Sequence, residues 1–146
     1  MVFSVTGRAR AVSGMIAAMT VALPDVARKL IDNPTYVVLT TINADGSPQS
    51  TPIWVKRDGD HVVFSTIRGR RKALNMEREP RVSICGYDPA QPYSYFTVEG
   101  VVALCDDEGD LIGELSYKYA NEPWTSDAPG TVRVVCRLTP THVISR

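Results

Sequence analysis

The residues best equipped for chemistry lie together in Phe64-Ser-Thr-Ile-Arg-Gly-Arg-Arg-Lys-Ala-Leu-Asn-Met76. An apolar run ends in two hydroxyls, Ser65 and Thr66, and passes Gly69. A helical pattern then begins on Arg70, Arg71 and Lys72. Positive charge in a first helical turn opposes the helix dipole, at about 0.3–1 kcal/mol per charge. A phosphate at that turn reverses the sign, because it accepts from free backbone N–H groups while Arg and Lys add charge-assisted bonds. Ser65 and Thr66 are further donors. The competing readings are a solvated basic face with no ligand, or a nuclear-localisation patch. The segment Asp106–Glu114 shows the ordinary arrangement, with five acids and no base crowding a helix start.

Other chemistries have little support. Cys85, Cys105 and Cys136 are an odd, dispersed set with no CxxC pair, each in an apolar stretch. They read as small buried residues in a reducing, cytoplasmic compartment. His61 and His142 stand alone, so no protein-bound metal is expected. No Ser-His-Asp or Cys-His set is visible. Sixteen Lys+Arg balance sixteen Asp+Glu, which argues against a protein that coats nucleic acid or an acidic membrane. No apolar run approaches the roughly 20 residues that span a bilayer.

The surrounding pattern supplies the elements that must hold the basic turn. The 146 residues fit one domain able to bury a core without staples. Residues 1–19 have no clear period and are expected to form a mobile arm, Met19 being a candidate second start; a single domain then covers 20–146. A short helix is expected over 24–32, with Pro24 in its first turn and Asn33-Pro34 as its stop. Strands follow at Tyr36–Ile42, Ser50–Lys56 and His61–Thr66, joined by Asn43–Gly46 and Arg57–Asp60 in an antiparallel meander. A second helix spans Arg70–Arg78. Strands Arg81–Tyr87 and Tyr93–Cys105 come next, the latter with a bulge or bend at Gly100. A third helix over Glu108–Tyr119 places Leu111, Ile112, Leu115 and Tyr119 on one face. After a polar loop, Thr131–Leu138 and Thr141–Ile144 are the last strands, parted by Pro140. The fold class is mostly β (α+β): a six- to seven-stranded antiparallel barrel with three short helices.

Several pieces recur in a fixed order: Thr41–Pro48, Ser50–Val55, Asp58–Asp60, Phe64–Thr66, Gly69–Asn75 and Arg78–Val82. Together they resemble the pyridoxamine-phosphate-oxidase-like split β-barrel superfamily, the FMN-binding split-barrel type. More closely, they are similar to its actinobacterial flavin/deazaflavin oxidoreductase branch, whose members use coenzyme F420. The resemblance covers residues 24–146. It implies a homodimer with a cofactor site at each interface, the Gly-Arg-x-Lys element holding the cofactor phosphate through Arg70 and Lys72. It also implies that Ser65 and Thr66 line that pocket and that Ser50, Pro52 and Trp54 run along the tricyclic ring. Positions 50, 52 and 54 share one face of a strand, as that role requires. Asn75 is a further candidate, one helical turn beyond Arg71.

The resemblance implies an oxidoreductase that moves a hydride from reduced deazaflavin F420 to an unsaturated or conjugated small molecule. The alternative cofactor is FMN. True pyridoxamine phosphate oxidases carry an Arg-x-Val-Leu-Leu-Lys strand, and here that strand reads Ser50-Thr-Pro-Ile-Trp-Val-Lys56, without the flavin-binding arginine. Lys56, Arg57 and Arg68 are available for the long anionic deazaflavin tail, or are solvent-facing charges on strand ends. Non-catalytic binding of a flavin, a deazaflavin or a tetrapyrrole is a third possibility, and nucleic-acid binding through residues 68–72 is disfavoured. Tyr93 and Tyr95 share a strand face and read as packing residues, one face of that strand meeting the core and the other a partner subunit. Trp124, in a polar loop, suggests a lid or interface contact, with Lys118 and Tyr119 just before it.

Overall fold

A computed structural model describes residues 20–146; the arm expected over 1–19 lies outside the described residues. The elements run α1 (Asp25–Asp32), β1 (Val37–Ile42), β2 (Pro48–Ile53), β3 (Lys56–Asp58), β4 (His61–Ile67), α2 (Arg71–Arg78), β5 (Arg81–Asp88), β6 (Gln91–Asp106), α3 (Leu111–Ala120) and β7 (Arg133–Ser145). All seven strands form one antiparallel sheet, ordered β2-β1-β5-β6-β7-β4-β3. Its two edge strands, β2 and β3, are successive in the chain, with only Trp54 and Val55 between them. The chain therefore carries one edge round to the other, and the sheet curls into a barrel split at that seam. The expected α+β split barrel with three short helices is the fold observed.

Alternation along the strands separates inside from outside. Val37, Leu39, Val62, Phe64, Ile84, Phe96, Val98, Val134, Cys136 and Leu138 fill the barrel. Ala27, Leu30 and Ile31 of α1 belong to the same core, which α1 closes at one end. On the outer face of β4 and β7, Val63 and Val135 pack with Leu111 and Leu115 of α3, and Trp54 and Tyr119 join this second cluster. Helix α3 thus lies over the seam side of the barrel.

The differences from expectation have local causes. The strand expected over Ser50–Lys56 breaks at Trp54-Val55, where the chain leaves one sheet edge for the other. The last two strands are one, because Pro140 sits where the β6–β7 register shifts beside Gly100. The bend anticipated at Gly100 is that shift. A Cβ there would run into the Thr139 carbonyl oxygen. Helix α3 starts at Leu111 rather than Glu108, since Asp107 accepts from the Gly109 and Leu111 N–H groups and closes a turn first. Only Cys136 is buried; Cys85 and Cys105 follow inward-facing positions by one residue and are exposed.

Among the described residues, no helix is long and apolar enough to cross a membrane, and no cluster of His, Cys, Asp or Glu is placed to hold a metal ion.

Candidate functional site

Strand β4 leaves the barrel at Ile67, turns at Gly69 with φ of +89°, and delivers Arg70 as the N-cap of α2. Neither that cap nor the first turn carries an acid or a side-chain capping bond. Arg70, Lys72 and Ser65 line a cavity of about 260 Å³, together with Pro52, Ile53, Trp54, Tyr36, Ile112, Leu115, Trp124 and Arg133. Five of the residues anticipated from sequence therefore meet here: Pro52, Trp54, Ser65, Arg70 and Lys72.

The electrostatics of this corner are unbalanced. Lys72 is half-buried, and among the described residues neither it nor Arg70 makes an ion pair. Burial, reinforced by the neighbouring Arg70 charge, pulls the Lys72 ammonium below the usual lysine range. The Ser65 hydroxyl is buried and has no hydrogen-bond partner. Buried polar groups are nearly always satisfied, so an orphan hydroxyl beside two unpaired cations suits an anion.

Three anticipated residues sit elsewhere. Ser50 lies one strand step from Pro52, and its hydroxyl is 2.8 Å from that of Thr40. Thr66 alternates away from Ser65 to the barrel interior, beside the inward Phe64, where its hydroxyl is also without a partner. Asn75 is buried, and its amide N–H groups bond Thr41 Oγ1 and Asn43 Oδ1, each at 3.0 Å. That side chain fastens α2 to the β1–β2 hairpin instead of reaching the cavity. Lys56, Arg57 and Arg68 are all engaged: Lys56 with Glu114, Arg57 with Asp32, Arg68 with Asp106 and Glu77.

The opposite wall is aromatic. Trp54 stacks on Tyr119 with centroids 5.3 Å apart and planes 12° apart. Tyr36 meets Tyr119 edge-on at 5.6 Å, and Trp124 meets Trp54 edge-on at 5.8 Å. Trp124 is therefore packed rather than free, and its ring lies 5.3 Å from the Arg133 guanidinium. Arg133 also makes a two-pronged bond to Asp127, at 2.9 and 2.6 Å. Those bonds, more than any other influence, push the Asp127 carboxyl down to about 2.

Among the lining residues not anticipated for the site, Arg133 and Tyr36 are the polar ones, and Ile53, Ile112 and Leu115 are apolar. Arg133 reaches the cavity because β7 pairs with β4 in a register that sets Arg133 opposite Ile67. No local pattern records a pairing across more than sixty residues.

A curled antiparallel sheet, open at one seam where a basic turn meets a cluster of aromatic rings, defines a split-barrel protein. Residues 23–145 match the Pyridoxamine 5'-phosphate oxidase family, and the chain belongs to it. A solved F420 reductase is similar, with a TM-score of 0.77 and 30% identity over 85% of this chain and 100% of that one. A pyridoxine/pyridoxamine 5'-phosphate oxidase from Aeromonas hydrophila is 42% identical over 57 residues, which is 38% of this chain but only 26% of that protein. A pyridoxamine 5'-phosphate oxidase-related, FMN-binding protein from Nostoc punctiforme shares the fold, with a TM-score of 0.56 and 17% identity over 97% of this chain and 84% of that one.

Proposed function

We propose that this protein is an oxidoreductase that uses the deazaflavin coenzyme F420 to reduce an unsaturated or conjugated small organic molecule. The observation that carries the reading is the pairing of two unpaired cations, Arg70 and Lys72, with the orphan Ser65 hydroxyl at the foot of an aromatic wall. These groups fit a phosphate and a flat ring joined by a short linker. The deazaflavin, when bound, supplies the hydride. The chain's own residues bind and orient: Arg70, Lys72 and Ser65 hold the phosphate, while Pro52 and Trp54 flank the ring and exclude water from it. Helix α2 adds free backbone N–H groups at the same point. Likeness to the F420 reductase along its full length supports the choice of cofactor.

A cavity of about 260 Å³ lies below the roughly 300–1,000 Å³ typical of ligand sites. The reading therefore includes a homodimer, in which a second copy completes the walls. An apolar row available for that contact crosses the outer sheet face, where Val38 pairs in register with Cys85, Cys85 with Thr97 and Thr97 with Ile144. Val38 and Ile144 are both exposed. The free cysteines suit a cytoplasmic setting.

FMN is the second reading, favoured by one specific observation. Lys56, Arg57 and Arg68, the cations the sequence offers for a long anionic tail, are all engaged by carboxylates. Parallel titrations of the deazaflavin and FMN decide between them. Purified protein that binds neither at micromolar concentration overturns the function. Tight binding with no hydride transfer to any member of an acceptor panel assigns a carrier instead. The dimer is checked by light scattering.

A further inference from the structure

The barrel's seam poses a problem that the fold solves with α3. Val55 lies between the two edge strands, so its buried backbone N–H and C=O have no ladder partner. The Tyr119 hydroxyl accepts from Val55 N at 3.1 Å and donates to the Thr35 carbonyl at 2.7 Å. Lys118 Nζ donates to the Val55 carbonyl at 2.6 Å and also to the Ile31 carbonyl at the end of α1. Two successive side chains thus hold both sides of one seam residue and tie it to α1 and the α1–β1 turn. The same Tyr119 carries Trp54 flat on its ring.

We infer that Lys118 and Tyr119 are positioning residues for the candidate site: by gripping Val55 they fix the plane of Trp54, and so the wall against which the cofactor ring lies. This inference rests on reading the cavity as the site of a planar cofactor. Neither residue lines the cavity, so they act through Trp54.

The grip is sensitive to pH. Burial pushes the Lys118 ammonium down to about 8, against the opposing pull of Asp32. The groups facing Lys118 are Asp32 of α1, itself bonded to Arg57 of β3 and near Arg28, and the Tyr119 ring at 5.2 Å. Tyr119 is displaced upward, chiefly by burial, so it stays neutral through this range. Above pH 8 the Lys118 ammonium gives up one proton; the neutral amine keeps two N–H groups for the two carbonyls but loses the charge that strengthens those bonds. The folded value lies below the unfolded one, so this group's charge penalises the fold below pH 8, and the penalty is relieved as pH rises through 8. Rising pH therefore loosens the grip while this residue's contribution to stability increases.

The test uses the near-ultraviolet circular dichroism of the full-length protein, to which the Trp54–Tyr119 stack contributes, and titrations with the deazaflavin and FMN. In the wild type the aromatic signal should change with a midpoint near pH 8 while far-ultraviolet dichroism stays constant. Lys118→Arg, charged throughout, should remove that step. Tyr119→Phe keeps the ring but loses both bonds, and should weaken whichever of the two cofactors the wild type binds by about tenfold. Inorganic phosphate should compete equally well in wild type and Tyr119→Phe. A wild-type signal that is flat from pH 6.5 to 9.5, or a Tyr119→Phe protein with wild-type spectrum and affinity, overturns the inference. A wild type that binds neither cofactor overturns the proposed function alone, since the dichroism of the cofactor-free protein still tests the grip.

Discussion

Helices α2 and α3 begin in opposite ways. At α3 the Asp110 carboxylate accepts from Gly113 N at 3.2 Å, and Asp107 accepts from Leu111 N at 3.0 Å. Acids there satisfy the helix start and complement its dipole. At α2 the cap is Arg70, which makes no capping bond, and Lys72 follows in the same turn. One helix start is completed by its own side chains, and the other is not. The same chain builds both, so the composition of α2 is not explained by any general shortage of capping residues. The unfinished start is also the one that opens on a cavity with an aromatic wall.

The largest effect should come from emptying the unfinished start. Arg70→Ala and Lys72→Ala should each weaken a phosphate-bearing cofactor by about tenfold to a hundredfold, from roughly 1.5–3 kcal/mol per charge-assisted bond. Thermal stability should hold or rise. Unchanged affinity in both variants would sink the site assignment. Next in size is a pH effect. Burial lowers the Lys72 value, and an anion beside the ammonium must raise it again. Affinity should therefore fall as pH climbs through the lowered value, with proton uptake on binding, measurable by calorimetry in two buffers of different ionisation enthalpy. In the cofactor-free protein the sign for stability is the reverse, because the Lys72 charge penalises the fold and deprotonation relieves it.

At the finished start the expected change is in stability. Asp110→Ala should cost about 0.5–2 kcal/mol, the usual value of an N-cap, which for a chain of this size lowers Tm by a few degrees. Cofactor affinity should change far less than in the Arg70 and Lys72 variants. The smallest change in stability completes the contrast. Arg70→Ser gives α2 a conventional cap and should stabilise the protein by about 0.3–1 kcal/mol while weakening binding. A variant that binds as tightly as wild type would show that the two helix starts do not differ in purpose.

The contrast was visible in the sequence because it is local: charges within four residues of a helix start need no tertiary information. The strands and turns were legible for the same reason, through alternation and the Asp-Gly and Asn-Pro signals. The pairing of β4 with β7, which brings Arg133 to Ser65, left no trace in either segment, because register depends on the whole sheet. Asn75 shows the converse limit. Its position one turn past the basic cluster suggested a ligand, yet its side chain satisfies the β1–β2 hairpin. Cys85 and Cys105 were misjudged because an apolar stretch in a strand buries only every second residue. Trp124 looked isolated for want of immediate neighbours, and its ring partners are Trp54, from the link between β2 and β3, and Arg133, at the start of β7.

The sheet order also fixes when the cavity can exist. Strand β4 is made early, but its neighbour on one side is β7, the last strand described. Until β7 leaves the ribosome, Ser65 has no strand beside it on that side, and Arg133 and its bond to Asp127 are absent. Helix α3 cannot yet pack against Val135. During synthesis, then, the basic turn and the aromatic residues emerge first and wait, unassembled, for β7. Pairings of such sequence separation fold slowly. The cavity is thus a late product of synthesis, complete only once β7 has paired with β4.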